Sequence, residues 1–306
     1  MKNDMSVHVY ISNNKIQVLL GSYVKNRLQV QSVCEEPLEE GCILNGIIMN
    51  AFSLQNTITQ MWQKYNLPSK GVHLVVNGSS VTVKPMKIPQ TAPKNIPGLI
   101  RTEFRDMENI QNLIVDYSVT NLKNPDGTCS ILAVLSTKEF IMSYVNLFKE
   151  AKIDLEVIDL VQNCLIKLMK RFKSLQGKTY AVFILDKNML MQCLFSNDNF
   201  VMTRRSRILA EPEDPGFERE IGQNINSIIQ FNKSEQTGSD ITEFYLSGFP
   251  DAAVPLFPRF EENFHVQVRT FPEYTPAEIT LPENMRPAEY CILLGLSLIH
   301  ISEPTR

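Results

Sequence analysis

No run of this chain approaches 18 consecutive apolar residues, which excludes a helix of spanning length, and the opening MKNDMSVHVYI lacks the apolar core of a signal peptide. These absences lead to the expectation of a cytoplasmic protein with no direct membrane insertion. Positive charge is not in excess either. Lys and Arg number 30 against 33 Asp and Glu, a net charge of −3, so nothing forms a basic footprint for nucleic acid or anionic lipid. The runs Lys170–Lys173 (KRFK) and Arg204–Arg207 (RRSR) are short and read as a solvated helix face or a strand end. The six cysteines include no Cys-x-x-Cys pair, and His8, His73 and His265 are scattered through strand-like sequence. No zinc site and no Ser-His-Asp arrangement can be argued from that spacing. Cys164 and Cys193 lie in apolar runs and read as small buried hydrophobes.

What is present is ordinary globular material: 43% hydrophobic and 21% charged residues over 306 positions, enough for about two domains with real cores. Two stretches share one build. Val9–Gly21 (VYISNNKIQVLLG) and Val182–Phe195 (VFILDKNMLMQCLF) are each an apolar strand, a short polar turn and a second apolar strand. Such a pair, opening each half of the chain, points to a duplicated fold whose turns face each other across a cleft. A phosphate-clamping turn needs small residues, so that backbone N–H groups can approach an anion, and a carboxylate to hold a metal. Neither turn contains glycine, and the first contains no carboxylate.

The remaining pattern is α/β. In the Ser12-Asn13-Asn14-Lys15 turn, Asn is expected because it tolerates positive φ, and Leu28–Cys34 continues the meander. Leu54, Ile58 and Trp62, four apart in Ala51–Tyr65, mark one face of an amphipathic helix and make Trp62 a core residue. Val72–Val76 and Val81–Ile88 flank Asn77-Gly78, a hairpin signal. A helix over 96–106, a strand pair around Pro125-Asp126-Gly127, a helix over 137–151 capped by Ser136 or Thr137, and a strand over 154–159 follow. Residues 81–160 thus read as a β-β-α-β-β-α-β insertion. Helices over 161–172, 218–231 and 250–264, strands over 200–204, 243–246 and 266–270, a Pro-rich loop and a last helix from 288 complete a three-layer pattern repeated twice. The end, Leu296–Arg306 (LSLIHISEPTR), resembles the translated read-through of a sequencing-library adaptor and is set aside.

Longer segments carry a family resemblance. Pro37–Leu67, Val75–Pro89 (VVNGSSVTVKPMKIP), Ile114–Val119 (IVDYSV), Ile131–Asp159 and Arg219–Gly248 resemble, in order and spacing, the actin-like pilus-assembly proteins called PilM, relatives of the division protein FtsA. The resemblance covers residues 6–295. It implies an actin-like, ribonuclease H-like duplicated two-domain fold with a small inserted α+β subdomain. Residues 1–80 with 161–176 would form the first domain, 81–160 the insertion and 177–295 the second domain.

The family's nucleotide loops are eroded here. The first usually reads Asp-Ile-Gly-Ser-Ser-x-Ile-Lys; Tyr10 stands for the Asp, Ser12 for the Gly and Gln17 for the Lys. The second, Asp-Ile-Gly-Ala, is Ile184, Leu185, Asp186 and Lys187, and the adenosine loop, Gly-Gly-Gly, is Gly248-Phe249-Pro250. Ser12, Asn13, Asn14, Lys15, Asp186, Lys187 and Gly248 would line a degenerate nucleotide cleft, holding no cofactor or ATP only weakly. Without the carboxylates, and with Asp186 repelling a polyphosphate, hydrolysis is not expected. The resemblance further implies a cytoplasmic scaffold of the type IV pilus machine, held at the inner membrane by the cytosolic tail of a PilN-like partner, with the pilus motor ATPases as further partners. Arg101, Glu103 and Phe104 of the inserted helix are the candidates for that contact. An FtsA-like polymerising nucleotide-binding protein and the cytoplasmic domain of a type II secretion scaffold are the alternatives.

Overall fold

Apolar runs punctuated by Asn, Gly and Pro build the elements, which the computed structural model describes over residues 5–25, 27–235, 239–272, 274–283 and 285–298. Two units divide the chain, one formed by residues 1–21 and 33–163, the other by 22–32 and 164–306.

In the first unit, β1 (Met5–Ile11), β2 (Lys15–Val24) and β3 (Arg27–Pro37) lead to a small antiparallel ladder of β4 (Ile43–Leu44) and β5 (Ile47–Ile48). Helix α1 (Ala51–Lys64) follows, then β6 (Val72–Val76) and β7 (Val81–Pro89). Next come α2 (Ile96–Glu103), β8 (Leu113–Asn121), β9 (Thr128–Thr137), α3 (Lys138–Glu150) and β10 (Leu155–Leu160), and α4 (Val161–Met169) passes into the second unit at Cys164. The main sheet runs β10-β6-β1-β2-β3, with β6 parallel to both β1 and β10, and a two-residue sixth strand, Ile279–Thr280, is added beyond β3. Helix α1 starts because Asn50 accepts the Ser53 N–H through its side chain, a normal N-cap. Its buried face, Leu54, Ile58, Met61 and Trp62, meets Val7, Val9 and Ile11 of β1 and Tyr144, Leu147 and Phe148 of α3 in one core. Trp62 is a core residue as expected, and its indole N–H finds the Pro68 carbonyl at 3.0 Å.

Asn77-Gly78 is not a hairpin. Strand β6 lies in the main sheet, whereas β7 leaves it for a three-stranded sheet of order β7-β9-β8. The pair is a crossover, and its glycine answers to crowding: a Cβ on Gly78 would sit 2.8 Å from the Phe140 ring. The three-stranded sheet has its own core of Ile88, Ile96, Ile100, Ile110, Ile131, Ala133 and Leu135. That separate body ends at Thr137, because α3 packs into the first core and β10 pairs with β6. Thr137 is the cap of α3, accepting the Phe140 N–H at 3.3 Å.

The second unit contains β11 (Thr179–Asp186), β12 (Met189–Ser196), β13 (Asn199–Arg207), α5 (Pro215–Glu235), β14 (Glu243–Ser247), α6 (Phe257–Phe264), β15 (Gln267–Thr270), β16 (Ile279–Thr280) and α7 (Cys291–Ser297). Its sheet runs β13-β12-β11-β14-β15, with β11 antiparallel to β12 and parallel to β14. Two sheets thus share one plan, a three-strand meander followed by two strands parallel to its first member. Residues 22–32 belong to this unit, where Leu28 pairs in parallel with Ile279. The helix expected over 250–264 divides into a 3-10 segment, Asp251–Leu256, and α6, because Pro255 lacks an N–H and clashes with the preceding turn. Glu243 is a buried carboxylate (6% exposed) held by Lys178 at 2.5 Å and by the Tyr245 hydroxyl. Cys164 and Cys193 are fully buried, as read from their apolar runs. Helix α7 is buried on every side, and Leu296, Ser297 and Leu298 of the segment set aside are buried with it; residues 299–306 lie outside the described residues.

Candidate functional site

The first turn closes on itself. Ser12 Oγ accepts the N–H groups of Asn14 (3.3 Å) and Lys15 (3.2 Å) and donates to Asn14 Oδ1 (2.7 Å). The Ser12 N–H donates to the Lys15 carbonyl at 2.9 Å. Neither Asn13 nor Asn14 takes a positive φ, contrary to the sequence expectation; the serine hydroxyl makes the turn instead. Asn13 Oδ1 accepts the Gly46 N–H, the Asn14 carbonyl accepts the Leu38 N–H, and Lys15 reaches Glu35 at 2.9 Å. Glu35 also takes the Gln17 amide at 3.2 Å. All four expected residues hold one another and the neighbouring segments.

The second turn is a two-residue hairpin. Asp186 pairs with Met189 in the ladder, Lys187 adopts φ 53°, and the Asn188 carbonyl accepts the Ile208 N–H. Gly248, at φ +73°, presses its loop onto β11 so closely that a Cβ would stand 2.2 Å from the Leu185 carbonyl oxygen. Phe249 then turns edge-to-face onto Phe217 (6.3 Å) and Phe257 (6.4 Å), and Pro250 contributes no N–H. The loop that the resemblance assigns to adenosine is filled by its own aromatic cluster.

The three candidates for partner contact separate. Arg101 is a clamp: its guanidinium donates to the carbonyls of Ile110 (2.7 Å) and Leu113 (3.2 Å), tying α2 to the segment that enters β8. Phe104 packs against the small core, with the Lys84 ammonium 5.5 Å from its ring. Glu103 is exposed and bonded to Lys84 at 2.5 Å. It lines, with Thr102, Met86 and Ile88, an open groove of about 450 Å³ between α2 and β7.

Two features escape a reading by spacing. His8 and His73, far apart in sequence, are register partners in β1 and β6 with rings 5.1 Å apart, and His73 Nε2 lies 3.8 Å from Glu156. Among the described residues no cluster of His, Cys, Asp and Glu could hold a metal ion. The other is a group of exposed apolar side chains at the start of α1: Leu44, Ile47, Met49 and Phe52. The signal for it was the absence of any Asp, Glu, Lys, Arg or His over 41–63.

Two sheets of one strand order, each opening on a hairpin, with a small sheet spliced between β6 and α3, define an actin-like ATPase fold. The chain belongs to the type IV pilus assembly protein PilM family, whose model matches residues 8–208. It is similar to the solved PilM-PilN type IV pilus biogenesis complex, at 14% identity and TM-score 0.78, covering 99% of this chain and 100% of that one. It is also similar to a Bacteroides thetaiotaomicron protein with an actin-like ATPase fold and unknown function (12%, TM-score 0.58, 96% of each chain). A third likeness is to the cytoplasmic domain of EpsL, an inner-membrane component of the Vibrio cholerae type II secretion system (8%, TM-score 0.50, 99% and 97%). No curated protein matches the sequence. No helix among the described residues is long and apolar enough to cross a membrane.

Proposed function

We propose that this chain is a scaffold of the type IV pilus assembly machinery, that it binds the cytosolic tail of a PilN-like inner-membrane partner through its first unit, and that it hydrolyses no ATP. The family match carries the assembly role, and it favours the pilus reading over a secretion scaffold. The similar solved structure is that of a PilM-PilN complex, which supports the kind of partner. Held by such a tail, the chain would work at the cytoplasmic face of the inner membrane.

The turn chemistry supports the inactive cleft. Backbone N–H groups bind phosphate only when nothing nearer accepts them, and those of Asn14 and Lys15 already point at Ser12 Oγ. Tyr10 and Ile184 stand where the resemblance places carboxylates, so neither of those two positions supplies one to organise a metal-bound water. Calorimetric titration with Mg-ATP, paired with a phosphate-release assay, tests this. No heat and no turnover are expected; micromolar binding or steady phosphate release would overturn it. The partner claim is tested separately, by binding of the tail peptide to the isolated full chain.

A further inference from the structure

We propose that β13 is a docking strand: its open edge takes an acidic, extended segment of a partner protein, which joins the second unit's sheet as a sixth strand.

Other edges are closed. In the small sheet, β7 carries Pro85 and Pro89, which have no N–H to offer a neighbour. On the far side of that sheet, Arg101 occupies the Leu113 carbonyl, and the Asp116 carboxylate accepts the Tyr117 N–H at 2.8 Å. In the second unit's sheet, β15 is an edge of only four residues. The opposite edge, β13, runs for nine and contains no proline.

Alternation along the ladder decides which main-chain groups of β13 face outward. Asp186 and Met189 close a two-residue turn and so exchange hydrogen bonds. Further along β12, Leu190, Gln192 and Leu194 then bond toward their register partners Ser206, Arg204 and Met202. The N–H and C=O groups of Thr203 and Arg207 therefore point away from the sheet. A bulge between Leu194 and Phe195 confines this regular edge to residues 202–207.

Charge selects the occupant. Arg204 pairs with Gln192, on the face where Leu190 and Leu194 enter the core, and Arg207 lies on the other face. One exposed guanidinium thus flanks each side of the edge. Neither makes a hydrogen bond or an ion pair with a described residue. Carboxylates that follow in the chain are engaged elsewhere. Glu218 holds Arg259 at 2.7 Å, Glu220 accepts the Leu209 N–H at 2.8 Å, and Asp214 accepts the Gly216 N–H at 2.7 Å. Just past the strand, Leu209 is 75% exposed and offers an apolar contact. Two such cationic edges repel each other, which disfavours a second copy. A strand with carboxylates on both faces fits: main-chain bonds give it affinity, and the arginines select it.

The test is fluorescence anisotropy with the whole chain and a short, labelled, end-blocked peptide. In the peptide, glutamate pairs alternate with valine pairs, so that both faces carry carboxylates. The parent is expected to bind it at least about tenfold more tightly than the same peptide with lysine for glutamate. Arg204→Glu and Arg207→Glu are each expected to weaken binding about tenfold, and Arg204→Lys only about threefold. Methylating every second backbone nitrogen of the peptide is expected to weaken it about tenfold, because main-chain bonds are lost while the charge stays. Glu103→Gln, in the small sheet's groove, is expected to bind as the parent does. Thermal melts unchanged from the parent confirm that the variants fold. Equal binding of the methylated and unmethylated peptides overturns strand addition and leaves an ionic patch. Equal binding of the glutamate and lysine peptides overturns the charge selection, and no binding by the parent overturns the whole proposal. Self-association of the parent that the arginine variants abolish also overturns it, giving the edge to a second copy.

Discussion

Replacing Arg101 by alanine separates a structural clamp from a contact residue. Its guanidinium makes two charge-assisted hydrogen bonds, to the Ile110 and Leu113 carbonyls, from a half-buried position. Such bonds contribute about 1.5–3 kcal/mol each, and partial exposure trims the pair to roughly 3 kcal/mol in all. The loss falls on the closure between α2 and β8, so amides there should exchange about a hundredfold faster when local opening limits exchange. Hydrogen exchange read by mass spectrometry over 108–121 measures it. Arg101→Lys should recover less than half, because one ammonium cannot reach both carbonyls in the fixed fork of the guanidinium. Tail affinity per folded molecule should stay the same. Exchange within threefold of the parent, together with weakened tail binding, would refute the clamp and return Arg101 to the partner surface.

Two further outcomes follow from the second unit. Gly248→Ala forces a side chain into a left-handed backbone at φ +73° and onto the Leu185 carbonyl, 2.2 Å away. Strain of about 1–2 kcal/mol and overpacking of about 1–3 kcal/mol add to a urea-measured loss of about 2–5 kcal/mol, and a loss below 1 kcal/mol would count against the close approach. At Glu243 burial raises the carboxyl's pKa, but the bonds from Lys178 and Tyr245 and the charges of Lys178 and Arg269 outweigh it, leaving the value lowered. A depressed carboxylate stabilises the fold above its unfolded value, about 4.3, and that contribution fades as pH falls through the folded value. Glu243→Gln should therefore melt below the parent at pH 7, with the gap closing below about pH 4; a gap independent of pH would contradict the linkage.

Much of the fold is legible because hydrophobic period reports which face is buried. Leu54, Ile58 and Trp62 mark α1, and the two polar turns mark β1–β2 and β11–β12, from the order of residues alone. What period cannot report is which sheet a strand joins. Asn77-Gly78 carries the composition of a hairpin, yet β6 and β7 part company there, because Gly78 serves the crowding against Phe140 and not a tight turn. Long-range register is hidden in the same way: nothing in the spacing of His8 and His73 says that parallel strands bring them face to face. Site residues were the least legible. Arg101 looked available because a sequence shows the cation and not the carbonyls that occupy it, and Ser12 looked like a displaced glycine until its hydroxyl proved to close the turn. The apolar patch left a trace only as missing charge.

Val81 and Ser136 face each other across their ladder, so the small sheet leaves the frame and rejoins it through a doorway two strands wide. Ser118 Oγ of β8 also donates to Asn163 Oδ1 at 3.0 Å, and Val81, Val83 and Val134 pack against the first core. A displacement of the small sheet is therefore felt at α4 and in that core as well as at the two connecting strands.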